Sequence, residues 1–397
     1  MRRHLPLLLL TLVTFASFLP QSAYAGPGTA WKRISSKHGS LTSDEQIGLI
    51  RRTGGGLGVA WVEHAGGSSA LRLSNISASG KFKGSQAIVT GWKEIGGPDA
   101  IPTVGKGARI FFSGRKSSSD QSSLRSAVTA NGAEPFKLEP EVRTSGDGII
   151  GANVGAGVTS IGDPVVSWAS SLGVRAHFGL TPSENFEFQH PVSTTCCAYS
   201  PDVASQPGGG GTTIGWFSNA GAGHVGVYAS SVNPTTGAPV GSPMLMPGTA
   251  NASLQYSRTP MTGRPSRGGI YMAYPTGADG NEVRVWLVGG AKSTVLAKVK
   301  PGSTLHGIGI AADPKNRLWV FWGVTSIYGG RVYASRSDAG ESKPGTLSFS
   351  PPRPVPLPKG ARIVDQIYGD AQTGELDLVS KFRLKGTNSW WHRQVKP

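Results

Sequence analysis

The chain has 397 residues, among them 57 Gly, 28 Pro and 10 Trp, and only 16% of its residues are charged. Lys and Arg outnumber Asp and Glu by 39 to 23, a formal net charge of +16. Such a composition, with no stretch of amphipathic helical periodicity, argues against a helical protein and for strands joined by turns. Beyond the first 25 residues, no segment approaches the roughly 20 apolar residues of a membrane span.

Residues 1–25 combine a basic start at Arg2 and Arg3, the apolar run LPLLLLTLVTFASFL and the small-residue exit Ala23-Tyr24-Ala25. That is the pattern of a secretory signal peptide. The expected product is a secreted, extracellular protein of residues 26–397 without membrane insertion. Next comes AWKRISS at residues 30–36, a short strand with no partner nearby in sequence.

From there the chain repeats. Apolar positions recur at Ile47, Ile101, Val154, Val203, Met261, Ile308 and Ile367, at a mean spacing of about 53 residues. Each of the first six is followed 11 to 14 residues later by an aromatic at the end of an apolar run: Trp61, Phe112, Trp168, Trp216, Tyr274 and Trp322. A seventh copy, ELDLVSKF, lacks the aromatic at Ser380. Alternating apolar and polar residues mark these segments as strands, and Gly, Ser, Asn and Asp clusters mark the turns between them.

A four-stranded sheet of this size cannot bury both faces alone, whereas seven packed around an axis can. The expectation is an all-β fold, a single β-propeller of seven four-stranded blades, with the aromatics as core between blades. A six-bladed count, leaving residues 360–397 as an appendage, is the alternative. AWKRISS is expected to close the last blade beside the NSWWHRQ strand.

The only cysteines, Cys196 and Cys197, are adjacent, in TTCCAYSPDVA on the loop entering the fourth repeat. In an oxidising compartment they are expected to form a vicinal disulfide. Such a ring closes no long loop and so acts through local shape instead of global stability. Two adjacent thiols without further ligands make a poor zinc site.

With CCAYSPDVA preceding the TIGWFS strand, the chain resembles the sialidase-like propellers with BNR-type repeats, particularly exported bacterial members. The resemblance covers residues 30–397 and implies the propeller architecture. It does not bring the enzymatic hallmarks of that group. No Arg-Ile-Pro tripeptide occurs, and the Asp-box turn is fragmentary: Asp338 and Gly340 fit, but Arg336 replaces its Ser and Lys343 its aromatic. Seven blades also exceed the six of the sialidases.

In a propeller the inner strands line a channel, and the loops entering them form a rim. One to three positions ahead of the seven anchors stand Gln46, Asp99, Asn153, Asp202, Arg258, His306 and Asp365. These are the candidate ligand-binding residues, although Asp and Asn also open strands as turn formers. Two of the three Asp residues could form the carboxyl pair of a glycosidase, Arg258 could clamp an acidic sugar and His306 could act as a base. No P-loop, no GxGxxG after a strand, no nucleophile elbow and no His-rich metal motif occurs, so no cofactor and no metal is expected.

With the sialidase motifs missing, the reading favoured by sequence is a monomeric, non-catalytic binder of an extracellular glycan or other anionic polymer, drawn by the positive charge. No basic run is interleaved with aromatics, so nucleic acid is not an expected partner. The alternative is a divergent sialidase-like glycoside hydrolase or lyase using the rim carboxylates.

Overall fold

The computed structural model describes residues 29–396 apart from 36–40, 42–45, 104–106, 132–134, 143–148, 171–172, 180–189, 192–197, 208–209, 220–223, 251–257, 267, 278–279, 327–328 and 339–346. Cys196, Cys197 and the signal segment lie outside these residues, as does the side chain of Asp365. The described residues form no helix and fold into seven antiparallel sheets, the blades of a seven-bladed β-propeller.

The inner strands of blades 1 to 7 are Gly48–Arg51, Asp99–Pro102, Ile149–Val158, Ala198–Ser205, Met261–Gly263, Thr304–Ala312 and Arg362–Gln372. Six of the seven sequence anchors lie in these strands, and Ile47 immediately precedes the first. The ring closes as the sequence suggests. Lys32–Arg33 pairs antiparallel with Thr387–Val395, Lys32 opposite His392 and Arg33 opposite Trp391, so the N-terminal segment supplies the outer strand of blade 7.

Seven apolar clusters account for the seven interfaces between blades. Phe112 of blade 2 packs with Ala60, Val62 and Leu71 of blade 1. Trp216 of blade 4 packs with Val165 and Ala176 of blade 3, and Trp322 of blade 6 with Tyr271 and Val285 of blade 5. The repeated aromatics are thus core, each 0 to 2% exposed and directed at the preceding blade. Full burial of each such side chain stabilises by roughly 1.5–3 kcal/mol, which is why they recur.

Where blade 7 has Ser380, the aromatic is displaced by two residues to Phe382, on the same face of the strand. Trp31 meets it edge-on at 4.7 Å, filling the layer against blade 6. Blade 2 departs from four strands. Glu94–Ile95 and Asp99–Pro102 both pair with Ala108–Arg115, giving five. Gly96-Gly97-Pro98 separates the two pieces, and Pro98 has no N–H with which to continue the ladder.

Candidate functional site

Because the inner strands run in the same direction around the ring, residues just ahead of the anchors gather at one end of the channel. Asp99 of blade 2, Asp202 of blade 4 and Arg258 of blade 5 converge there. Arg258 Nη2 donates to Asp202 Oδ1 at 2.8 Å and to Asp99 Oδ2 at 3.3 Å. The carboxylates are almost inaccessible, with 3% and 1% of the side chain exposed, whereas Arg258 retains 19%. All three line a cavity of about 280 Å³ along the axis.

Each carboxylate also links its blade to the next. Asp99 Oδ2 accepts the Ala156 amide of blade 3 at 2.8 Å, and Asp202 Oδ2 accepts the Met261 amide of blade 5 at 2.9 Å. The remaining oxygens accept the amides of Ala100 and Val203, each at 2.9 Å. Backbone donors therefore fix both carboxyl groups in orientation while Arg258 connects them.

Burial raises the Asp99 carboxyl to about 6, with a further push from Asp202; Arg258 and the two amides act in the opposite direction. Burial works against the Arg258 cation, but Asp202 and Asp99 outweigh it and hold the guanidinium above its ordinary range. This end of the channel thus holds a fixed positive charge beside a carboxyl group that exchanges its proton near neutrality.

Gln46 and Asn153 join this group by a different route. Gln46 Nε2 donates to Val154 O at 2.6 Å and to Pro98 O at 3.3 Å. A Cβ on Gly97 would collide with Asn153 Oδ1 and lie 2.7 Å from Gln46 Cβ, so only glycine lets the two side chains approach there. His306 is half-buried on blade 6, and burial lowers its pKa, favouring the neutral imidazole. Gly307, at a φ of 48°, carries the strand past Gln366, where an added Cβ would lie 2.6 Å from the Gln366 Cα.

Two residues at this end escaped the sequence reading. Gln366 Nε2 reaches Arg258 O at 3.5 Å, and Tyr368 lies close enough for its hydroxyl to act on the Arg258 charge. Gln366 occupies the position directly before Ile367 that Gln46 occupies before Ile47 and Asp202 before Val203. That alignment was the available signal for Gln366. Among the described residues, no group of three or more His, Cys, Asp or Glu side chains could hold a metal ion.

No protein-family model and no curated protein matches the sequence. Solved structures do match the fold. An ulvan lyase of a new polysaccharide lyase family superposes with a TM-score of 0.52 at 12% identity, over 90% of this chain and 96% of its own. The α-L-arabinofuranosidase of Fusarium graminearum gives 0.53 at 9% identity, over 93% and 98%. A Trypanosoma rangeli sialidase variant with trans-sialidase activity gives 0.50 at 10% identity, over 94% of this chain but 59% of the sialidase.

The fold of this chain is therefore similar to the propeller folds of these carbohydrate-active enzymes, the sialidase included. These matches correct the expectation of a non-catalytic binder: the similar structures named above are all of enzymes. That expectation rested on missing sialidase motifs, which bear on one chemistry among several that the fold carries. The physical reason lies in the rim itself, which assembles a titratable carboxyl group, a second carboxylate and a cation instead of neutral turn formers.

Proposed function

We propose that the protein is a carbohydrate-active enzyme that cleaves an acidic extracellular polysaccharide at the Asp99–Asp202–Arg258 end of the channel. The observation that carries this reading is the pair of carboxyl groups on one guanidinium nitrogen. Their nearest oxygens can be no further apart than the sum of the 3.3 and 2.8 Å contacts. That favours the close spacing of retaining glycosidases, about 5–5.5 Å, over the wider spacing of inverting ones.

In this reading Asp99, raised to about 6, is the general acid that protonates the glycosidic oxygen. Asp202, held by Arg258 and two amides, is the carboxylate that stabilises or attacks the anomeric carbon. Arg258 and the overall positive charge favour an anionic chain.

Elimination is a second reading, supported by His306, whose burial favours the neutral base that proton abstraction needs, and by the lyases among the similar folds. Incubation with acidic and neutral polysaccharides, following both new reducing ends and the ultraviolet absorbance of unsaturated products, separates the two. Hydrolysis predicts reducing ends without that absorbance, and a loss on the order of 10²-fold or more in Asp99→Asn and Asp202→Asn. Cleavage that survives both substitutions but is lost in His306→Gln, with an unsaturated product, would replace hydrolysis by elimination. No cleavage of any polysaccharide would overturn the enzyme reading.

A further inference from the structure

The channel cavity is not the largest on the molecule. A cavity of about 750 Å³ opens between blades 5 and 6 and shares no lining residue with the channel. Its walls come from the outer part of blade 5, Lys298 to Ser303, and from the second and third strands of blade 6, Leu318–Ser326 and Gly329–Arg336. It is within the size range of ligand sites, about 300–1,000 Å³, whereas the channel cavity falls just below that range.

Its chemistry is one-sided. Trp322 and Tyr333 line it, stacked with centroids 5.8 Å apart and planes 18° from parallel; Trp322 is buried and Tyr333 half-buried. Lys298, Lys300 and Arg331 are exposed around these rings, and no Asp or Glu lines the cavity. Lys298 is neutralised from outside, its Nζ lying 2.9 Å from Glu282 Oε1. Lys300 and Arg331 have no acidic partner among the described residues.

We propose that this flank cavity is a second, non-catalytic binding site for an anionic polysaccharide chain. Tyr333, backed by the buried Trp322, supplies the amphipathic surface on which a sugar ring packs. Lys300 and Arg331 supply charge for carboxylate or sulfate groups along the chain, Arg331 with a planar fork that can take two oxygens at once. The site would hold a polymer against the flank while a different stretch of it reaches the channel. The inference shares only its ligand class with the proposed catalytic function, and the cavity's own residues carry it.

Binding is best measured by calorimetry on the full chain carrying Asp99→Asn, so that failure to bind and failure to cleave are read separately. Oligogalacturonate and a sulfated heparin oligosaccharide are the anionic probes; a malto-oligosaccharide and a single-stranded DNA of similar charge are the comparisons. Arg331→Ala and Lys300→Ala change exposed side chains and should leave folding intact. Each should weaken binding of the carboxylated or the sulfated probe on the order of tenfold, the loss of one charge-assisted contact. Tyr333→Ala should weaken it further, with Tyr333→Phe restoring it, and added salt should weaken it in the parent chain.

Preference for one anionic probe would identify carboxylate or sulfate as the recognised group. Affinity for both anionic probes unchanged by Arg331→Ala and Lys300→Ala would overturn the proposal. So would equal affinity for the malto-oligosaccharide, tighter binding of the DNA, or no binding of either anionic probe.

Discussion

At one end of the central channel Arg258 joins Asp99 and Asp202; at the other, Arg51 joins Asp370 and Asp377. Arg51 Nε lies 2.7 Å from Asp370 Oδ2 and its Nη2 lies 2.8 Å from Asp377 Oδ2, while His392 Nε2 meets Asp377 Oδ1 at 2.8 Å. Both ends place one guanidinium between two carboxylates, but their reach differs. Arg258 spans from blade 5 to blades 4 and 2, whereas Arg51 of blade 1 bonds to the adjoining blade 7 and, through Nη1, to Gly55 O of its own blade. Solvent access differs at one carboxylate: the Asp370 side chain is 26% exposed, against 3% and 1% for Asp99 and Asp202, while Asp377 at 2% is as buried as they are. One Arg and two Asp side chains thus make a cross-ring site with desolvated carboxyl groups at one mouth and, at the other, a clasp over the closing seam that is solvated on its Asp370 side.

The sharpest test of that contrast removes each arginine. Arg258→Ala leaves two buried carboxyl groups facing each other without a cation, and breaking a buried pair in this way costs about 3–5 kcal/mol. Denaturant unfolding should show a loss of that size at pH 8. It should be smaller at pH 5, where Asp99 can take up a proton instead.

The second test is pH. Asp99 at about 6 in the folded chain, against an ordinary 3.8, means that the native state binds its proton more tightly than the unfolded state. Its contribution is therefore fully present below the unfolded pKa, and stability falls as pH rises from about 4 to about 6, by an amount on the order of 2 kcal/mol. Asp99→Asn should flatten that fall. A parent chain equally stable at both pH values, after allowance for other groups, would contradict the desolvated-acid description. If Asp99 is also the general acid, kcat should decline as pH rises through about 6, where its folded-state proton is lost.

Arg51→Ala ranks third. Water can reach Asp370, and His392 still meets Asp377, so the loss should be about 1–2 kcal/mol. A loss as large as that of Arg258→Ala would break the distinction between the two ends.

How much of this was legible in the sequence follows from what each position does. The apolar and aromatic anchors repeat because each blade must present the same layer to its neighbour, and that necessity shows directly in the spacing. Gln46, Asp99, Asn153, Asp202 and Arg258 were visible by their offset from the anchors, and the structure gathers them at one end of the channel. Gln366 shares the one-residue offset of Gln46 and Asp202, so its signal was present in the sequence, whereas Tyr368 lies past the anchor, where a register shift between Ile363 and Ile367 changes which side chains reach the channel and local sequence carries no clear mark of a bulge. Register shifts between Tyr199 and Asp202 and between His306 and Ile308 have the same effect in blades 4 and 6. The Arg51–Asp370–Asp377–His392 cluster was invisible for another reason. Its members are more than 300 residues apart on either side of the seam, and only ring closure brings them together.

The smallest expected effect concerns Asp370. Burial raises its carboxyl above the ordinary range, and Arg51 opposes the shift. The sign is that of Asp99: a native state that holds the proton more tightly contributes stability at low pH, and loses it as pH climbs through the folded pKa. The size should differ, because a side chain about one quarter exposed is partly solvated and its interactions are screened. Asp370→Asn should therefore leave the pH dependence of unfolding close to that of the parent chain, within a few tenths of a kcal/mol, while Asp99→Asn removes most of the decline between pH 4 and 6. If Asp370→Asn flattened the profile and Asp99→Asn did not, the desolvated acid of this channel would be at the seam, and the search for the reacting carboxyl group would move to that end.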